Sequence, residues 1–284
     1  MNTRASKRRP QKILLALITY VTLAGLLFGA LFPFYWIGLT SLRKGKQVYT
    51  KEQVLVPRDL TGENYRFVFE QRPTLQWLRN SLVMAFTSSG IAVAIGVLAG
   101  YSIVRLKFRG NRTIAKGVLF TYLIPTSLLF IPMFILMFNM RLTDGLWGLL
   151  FAYLSFNVPF CTWLILGYFR SIPEELEDAA RIDGCTRLGV LGRIVLPLAA
   201  PGIVTAFIFG FTNSWNEFLY AVTLVNRRDL MTLPTGLGSY ILGDVFLWGP
   251  LMATAIITAL PPVILFIVVQ RFIVAGMTLG SVKG

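Results

Sequence analysis

Six long stretches without aspartate, glutamate, lysine or arginine constrain how this chain of 284 residues can fold. Each has at least 23 residues, whereas a helix needs roughly 20 apolar residues to cross a bilayer core about 30 Å thick. A soluble core helix does not require such lengths. The sequence therefore predicts an all-α membrane protein with six transmembrane helices. The stretches are residues 13–42, 80–104, 117–140, 145–169, 194–216 and 245–270.

Two further segments could be mistaken for other structures. A basic run before residue 13 resembles the start of a signal peptide, but the uncharged stretch after it exceeds an h-region and has no clear cleavage site. We therefore expect a retained anchor. A seventh uncharged stretch, residues 230–243, has only 14 residues and contains Pro234 and three glycines. It is expected to be an interfacial or re-entrant segment.

The distribution of basic residues predicts that both termini face the cytoplasm. Residues 1–12 carry five lysines and arginines without an acid, and residues 105–116 carry five more. The opposing observation is the loop 43–79, predicted to lie outside, with eight basic and four acidic residues. That loop is longer and mixed in sign, so it weighs less. Topology signals thus explain the net charge of +14 better than nucleic-acid binding does.

The sequence lacks the residues that common catalytic and metal sites require. It contains no histidine and no Gly-x-x-x-x-Gly-Lys-Ser/Thr phosphate loop. Its two cysteines, Cys161 and Cys185, form no metal-binding or disulfide pattern. We therefore expect a protein that is not an enzyme, with no catalytic residue, no metal site and no cofactor of its own. Any ATP used in its work must be hydrolysed by a partner.

The loop between the fourth and fifth stretches predicts a short acidic helix. Ser171 and Glu174 have the spacing of a capping box, Pro173 suits a first helical turn, and acids cluster where they complement the helix dipole. Gly184 is expected to end the helix in a left-handed conformation. Small residues in the middle of this segment would let another protein surface approach closely.

The spacing beyond this helix resembles a known motif. Ala179, Ala180, Gly184 and the later Ile-x-Leu-Pro at 194–197 occur at the spacing of the EAA loop in permease subunits of bacterial ABC importers. Asp178 stands where that family usually carries glutamate. The resemblance implies that the loop, residues 170–197, couples the chain to ATPases. The coupling residues it assigns are Glu174, Glu177, Asp178, Ala179, Ala180, Asp183, Gly184, Ile194, Leu196 and Pro197.

Other motifs resemble the carbohydrate branch of this family. They lie in the first span, at the start of the second, in the fourth loop, at the end of the fifth span and at the C-terminus. The segments are residues 32–36, 40–42, 80–81, 181–184, 215–218, 274–276 and 282–284. The resemblance implies the type I ABC importer permease fold and a place in the bacterial cytoplasmic membrane.

The family further implies an assembly and a division of the chain. The partners would be a homologous second permease subunit, two cytoplasmic ATPases that use ATP and Mg²⁺, an extracytoplasmic solute-binding protein and a sugar, with no nucleic acid. Residues 1–75 would form the cytoplasmic tail, first span and outer loop. Residues 76–272 would form the permease core of five spans, and residues 273–284 a cytoplasmic tail.

A polar and aromatic stripe on the fifth span is a candidate substrate pathway. Asn213, Asn216, Glu217 and Tyr220 recur with helical spacing, and amide and aromatic groups are the usual partners of sugar hydroxyls and ring faces. Asn157 in the fourth span is a fifth candidate. For each there is a plainer reading, such as a helix–helix hydrogen bond at Asn157 or contact with water at Glu217.

Two alternative functions remain open from the residues alone. The first is an ABC permease for an amino acid, peptide or other non-sugar solute. The second is an ion-coupled secondary transporter in which Glu217 binds the proton or ion.

Overall fold

The computed structural model describes residues 8–44, 55, 59–106, 108–243 and 245–281. The charged residues counted above at positions 4, 7, 46, 51, 52, 58 and 107, and the family-like tail 282–284, lie outside this part. The described part is helical apart from one short hairpin. Its helices are α1 (Arg8–Ser41), α2 (Glu63–Glu70), α3 (Thr74–Arg105), α4 (Asn111–Leu123), α5 (Thr126–Asn139), α6 (Leu146–Ser171), α7 (Glu174–Ile182), α8 (Arg187–Val190), α9 (Leu196–Trp215), α10 (Leu219–Leu224), α11 (Leu233–Gly238) and α12 (Trp248–Ser281).

Five of these helical segments are long and apolar enough to cross a membrane, and the pair α4 and α5 supplies a sixth candidate if counted as one span. A π-helical turn, Leu191–Val195, joins α8 to α9 within the fourth of these five segments. The five segments are Lys12–Ser41, Thr74–Arg105, Leu146–Ser171, Arg187–Trp215 and Trp248–Gln270.

The predicted continuous third span, residues 117–140, is wrong. The chain bends by 96° between α4 and α5. Pro125 has no N–H to continue the helical hydrogen bonds, and its ring disfavours helical geometry at the preceding residue. Ile124 accordingly has extended backbone angles, φ −70° and ψ 123°. The sequence pattern identified an apolar segment of the right length but not its broken geometry.

The described residues divide into two compact units, one within 1–71 and 240–256 and one within 72–239 and 257–284. In the first unit, Asn64 joins the end of α1 to α2, because its side-chain amide donates to the carbonyls of Ser41 at 2.9 Å and Arg43 at 2.7 Å. The segment 230–243 was predicted to be interfacial or re-entrant. It contains the short helix α11 in the second unit, and the hairpin Ile241–Leu242 with Val245–Phe246 begins within it in the first.

The core of the second unit is formed by α3, α6 and α9. Helices α3 and α6 pack closely at Gly96, where an added β-carbon would lie 3.1 Å from the backbone nitrogen of Thr162. Small residues allow such close approach between membrane helices, where van der Waals contact replaces the hydrophobic effect. Cys161 is buried at this crossing, Cys185 is partly exposed, and both are free thiols.

Asn80 and Ser81, which open the predicted second stretch but lie within α3, hold the loop before α11. The Asn80 amide donates to the carbonyls of Asp229 at 2.9 Å and Met231 at 3.0 Å. The hydroxyl of Ser81 accepts the N–H of Leu233 at 2.7 Å. Asn80 and Ser81, which match the family's motif, therefore supply hydrogen-bond partners to buried backbone groups about 150 residues away in the sequence.

Candidate functional site

Helix α7 begins later than the capping-box prediction required. Helix α6 continues through Ser171, whose hydroxyl donates to the carbonyl of Tyr168 at 2.8 Å. Pro173 is the N-cap of α7 and supplies no side-chain hydrogen bond. The predicted capping box is therefore wrong, because the serine belongs to the preceding helix. The short helix itself and its end before Gly184, which has φ +86°, are confirmed.

Helix α7 presents two different faces. Glu177 and Ala180, three residues apart, are buried against the rest of the chain. Asp178 and Ala179 point away from it and are exposed, and the side chain of Ile182 is 87% exposed. One face of the helix is therefore anchored and the other is open to a partner.

The anchored face depends on Arg105, the last residue of α3. Its guanidinium contacts Glu177 at 2.5 Å, and Tyr101 donates to the second carboxylate oxygen of Glu177 at 3.2 Å. The same guanidinium donates to two carbonyls at the end of α6, those of Phe169 at 3.1 Å and Ile172 at 2.8 Å. In the sequence, Arg105 is visible only as one of the basic residues that indicate topology, because its partner Glu177 lies 72 positions away.

This ion pair has little contact with solvent. The side chains of Arg105 and Glu177 are 9% and 7% exposed. Removing one partner of a buried pair costs about 3 to 5 kcal/mol because the other charge stays buried and unpaired. A helix of nine residues is marginal by itself. The position of α7 therefore depends on these tertiary contacts.

The distal part of the predicted coupling loop lies beside this anchor. Ile194 is in the π-helical turn, and Leu196 and Pro197 begin α9. Ile194 and Leu196 pack against the same apolar cluster as Ala180. Asp183 is the C-cap of α7, and Glu174 at its start lies 3.7 Å from Arg105. The predicted coupling residues thus lie on α7, in the π-helical turn and at the start of α9.

A second feature is a cavity of about 500 Å³ beside the break between α4 and α5. Hydroxyl and amide groups line it together with aromatic rings, and its lining includes one carboxylate and no lysine or arginine. The lining residues are Thr121, Tyr122, Ile124, Thr126, Ser127, Leu129, Ser155, Phe156, Phe160, Thr212, Asn213, Asn216, Glu217, Phe218, Leu219 and Tyr220.

Four of the five predicted pathway residues line this cavity, but they do not share one helix. Helix α9 ends at Trp215, and Asn216 is its C-cap. Tyr220 lies in the separate helix α10. The expectation of a single helical face is therefore wrong, and the turn between α9 and α10 brings the side chains together. Asn157 is not in the lining.

Three of the five residues make structural contacts. The Glu217 carboxylate accepts the N–H groups of Tyr220 at 2.7 Å and Ala221 at 3.0 Å, which satisfies the start of α10. The hydroxyl of Tyr220 donates to the Thr126 carbonyl at 2.9 Å, just after the break. Asn157 donates to Ser214 at 2.7 Å. The helix–helix hydrogen bond was one of the readings left open for Asn157.

Asn213 and Asn216 differ from the other three. Both are exposed to the cavity, and within the described residues neither side-chain amide makes a hydrogen bond. Each amide has two donors and an acceptor carbonyl available. Among the five predicted pathway residues, these two side chains are therefore the ones free to bind a polar solute. Within the same described residues, no cluster of three or more metal-binding side chains occurs.

A family model described as "Binding-protein-dependent transport system inner membrane component" matches residues 92–279, which include α7 and all the cavity-lining residues. The chain belongs to this family. The permease of a binding-protein-dependent ABC importer, predicted from the EAA-like spacing, is thereby confirmed. Such a permease is a multi-pass protein of the inner membrane and a transport component, not the ATPase.

Curated relatives match nearly the whole permease. The inner membrane ABC transporter permease protein YcjP of Escherichia coli is 34% identical over 267 residues, 93% of this chain and 95% of that protein. The sulfoquinovosyl glycerol transport system permease protein SmoH of Agrobacterium fabrum is 34% identical and covers 94% of each chain. The trehalose transport system permease protein SugB of Mycobacterium tuberculosis is also 34% identical, over 90% of this chain and 93% of its own.

Solved structures agree in fold with this permease. A bacterial ABC transporter involved in the import of the acidic polysaccharide alginate has a chain with a TM-score of 0.75 and 24% identity. The match covers 93% of this chain and 97% of that one. The MetNI methionine ABC transporter has a chain with a TM-score of 0.59 and 18% identity, over 75% of this chain. The fold is that of type I ABC importer permeases.

Proposed function

We propose that this chain is the membrane-spanning subunit through which an ABC importer moves a sugar across the cytoplasmic membrane. The observation that carries the proposal is the cavity, where free amides and aromatic rings face the same space. Sugar hydroxyls pair with amides, and the apolar faces of pyranose rings lie against aromatic side chains. The names of curated relatives, among them transporters of trehalose and of arabinooligosaccharides, support the same substrate class.

The energy source in this proposal is a pair of partner ATPases that use ATP and Mg²⁺. The exposed face of α7 would dock on an ATPase, and this chain would carry out no reaction itself. A homologous second permease and an extracytoplasmic binding protein would complete the importer. An alginate ABC transporter has been solved with an oligosaccharide-bound periplasmic protein, which supports that arrangement. Residues 76–272 form the permease core in this proposal.

Uptake by the reconstituted importer tests this function. Proteoliposomes containing this chain, its companion permease and the ATPases are supplied with binding protein and labelled trehalose or arabinooligosaccharides. We expect uptake that requires ATP and resists an uncoupler. Uptake that continues without the ATPase and collapses with the uncoupler would instead favour the secondary transporter. Because Glu217 caps α10, that alternative has less support from the geometry.

The free amides provide a direct test of the pathway. Replacing Asn213 with alanine removes a side chain that makes no hydrogen bond in the described chain, so the complex should assemble normally. If the amide binds a sugar hydroxyl, its loss costs about 1 to 3 kcal/mol and uptake at limiting sugar falls about 5- to 150-fold. Thr87, exposed on α3 and outside the cavity, offers the control Thr87→Ala. Normal uptake by both Asn213→Ala and Asn216→Ala would exclude this cavity as the sugar path.

The proposed topology places both termini and α7 in the cytoplasm, with α2 outside. Glu175 and Glu63 are both exposed, so single cysteines at these positions can react with thiol reagents. In a background lacking Cys161 and Cys185, an impermeant reagent applied to cells with a permeabilised outer barrier should label position 63 and spare position 175. Labelling at 175 but not at 63 would reverse the orientation.

A further inference from the structure

The end of α3 is connected to two other helices, α6 and α7, through one side chain. Arg105 binds the Glu177 carboxylate of α7, and it also binds the two carbonyls with which α6 ends, those of Phe169 and Ile172. Tyr101, one turn earlier in α3, holds the other oxygen of the same carboxylate. The end of α3, the end of α6 and the middle of α7 therefore meet at one junction.

The chemistry of this junction favours a rigid connection. A guanidinium is planar and offers several donors in fixed directions, so its bonds to a carboxylate and to carbonyls restrain its orientation. The Arg105 and Glu177 side chains are almost fully buried, and a low local dielectric strengthens their attraction. The contacts also use carbonyls at the end of α6, where helical partners are few, although the Phe169 carbonyl also accepts the N–H of Ile172 at 3.4 Å.

The other charged pair on α7 has a different environment. Asp178 and Arg181 lie 3.4 Å apart, but their side chains are 66% and 53% exposed. Exposed pairs of this kind contribute little to structure because solvent screens them. The strong electrostatic contact is thus confined to the face of α7 that touches α3 and α6, and the face open to a partner carries the weak one.

We propose that Arg105 is a positioning residue for energy coupling, which holds α7 in fixed register with the ends of α3 and α6 through Glu177. When a partner displaces α7, these two spans move with it as one body. Without the junction, α7 can still bind the partner but shifts relative to the ends of α3 and α6, and the displacement is not passed to the spans. This inference rests on the proposed docking of α7 on an ATPase.

The test compares transport with ATP consumption in the same reconstituted importer, using labelled trehalose, ATP and binding protein. For Glu177→Ala we expect ATP hydrolysis within about twofold of wild type and a ratio of sugar moved to ATP hydrolysed lowered at least about tenfold. A purely structural role would reduce the amount of intact complex, so both rates would fall together and the ratio would stay constant. A constant ratio would overturn the proposal.

Further variants keep the test decisive if Glu177→Ala fails to assemble. Arg105→Lys retains the charge but cannot span the carboxylate and both carbonyls, so an intermediate ratio is expected. Combining Arg105→Glu with Glu177→Arg restores an ion pair of opposite polarity, and the ratio should recover in part relative to Arg105→Glu alone. No recovery, together with a normal ratio in Arg105→Lys, contradicts the proposal.

A matched control comes from another ion pair of the chain. Arg66 and Glu70 on α2 lie 3.0 Å apart with largely exposed side chains, and Glu70→Gln should leave the ratio unchanged. Absence of ATP-dependent uptake in the wild-type importer would refute the proposed function itself. Normal wild-type uptake with an unchanged ratio in the Glu177 variants would refute only the role of the junction.

Discussion

Replacing Gly184 with aspartate is expected to remove most ATP-driven uptake while the subunit remains in the membrane at nearly its normal level. Gly184 follows α7 with φ +86°, a conformation that costs a residue with a β-carbon roughly 1 to 2 kcal/mol. A β-carbon at this position meets no atom of the described chain within 4 Å. The added carboxylate would therefore extend into the space where we place the ATPase, and the spans would keep their own packing.

Uptake and ATP hydrolysis stimulated by the binding protein should both fall at least about tenfold, since coupling free energies of 1 to 3 kcal/mol correspond to about 5- to 150-fold effects. Gly110→Asp is the matched control. Gly110 also has a positive φ, +94°, and open space around its β-carbon position, but it precedes α4 outside the coupling loop. Equal losses in the two variants, or wild-type rates for Gly184→Asp, would contradict the docking role of this position.

Replacing Gly236 with alanine should clearly destabilise the permease, because the added methyl group overlaps a buried aromatic ring. In α11, a β-carbon at Gly236 would lie 2.2 Å from the ring of Trp77. That ring is fully buried, and its N–H donates to the carbonyl of Arg228 at 2.8 Å. Relief of the overlap requires the ring or α11 to move. Overpacking costs about 1 to 3 kcal/mol, and loss of the hydrogen bond adds about 1 kcal/mol.

The thermal midpoint of the detergent-solubilised importer measures this effect. At about 2 to 4 °C per kcal/mol for a chain of this size, Gly236→Ala should lower the midpoint by several degrees. Gly117→Ala, in α4, serves as the control, because a β-carbon there meets nothing within 4 Å and alanine favours helix. A midpoint unchanged by Gly236→Ala, or lowered equally by Gly117→Ala, would show that α11 does not pack on Trp77 as described.

The sequence predicted those parts of the molecule whose signals are local. Apolar segments without charge have few alternatives to membrane helices, so five of the predicted stretches correspond to long apolar helices, and the remaining one corresponds to the bent pair α4 and α5. The short helix α7 was also predictable, since the acids at its start and Gly184 after it lie within eleven residues of one another. Four of the five suggested pathway residues meet at one cavity, but the turn between α9 and α10 brings them together rather than the helical spacing from which they were predicted.

Features that depend on distant partners could not be predicted in this way. Nothing near Arg105 distinguishes it from the other basic residues of its loop, and its role becomes visible only when Glu177 lies beside it. The break at Pro125 was ambiguous because proline is tolerated inside membrane helices, as Pro132 in α5 and Pro159 in α6 show. Whether proline bends or ends a helix depends on the contacts around it.

The broken third span has a consequence for water. Helices α4 and α5 contain 13 and 14 residues, about 20 Å each, so neither crosses a bilayer core alone. Polar backbone between such half-helices is stable at membrane depth only inside protein or beside a hydrated space, and Ile124 at the bend lines the cavity. We therefore expect the cavity to hold water before any solute arrives. A sugar entering it has to displace this water and lose part of its own hydration shell, so selectivity is expected to depend on how well the polar groups of the cavity replace the hydrogen bonds that the sugar makes with water.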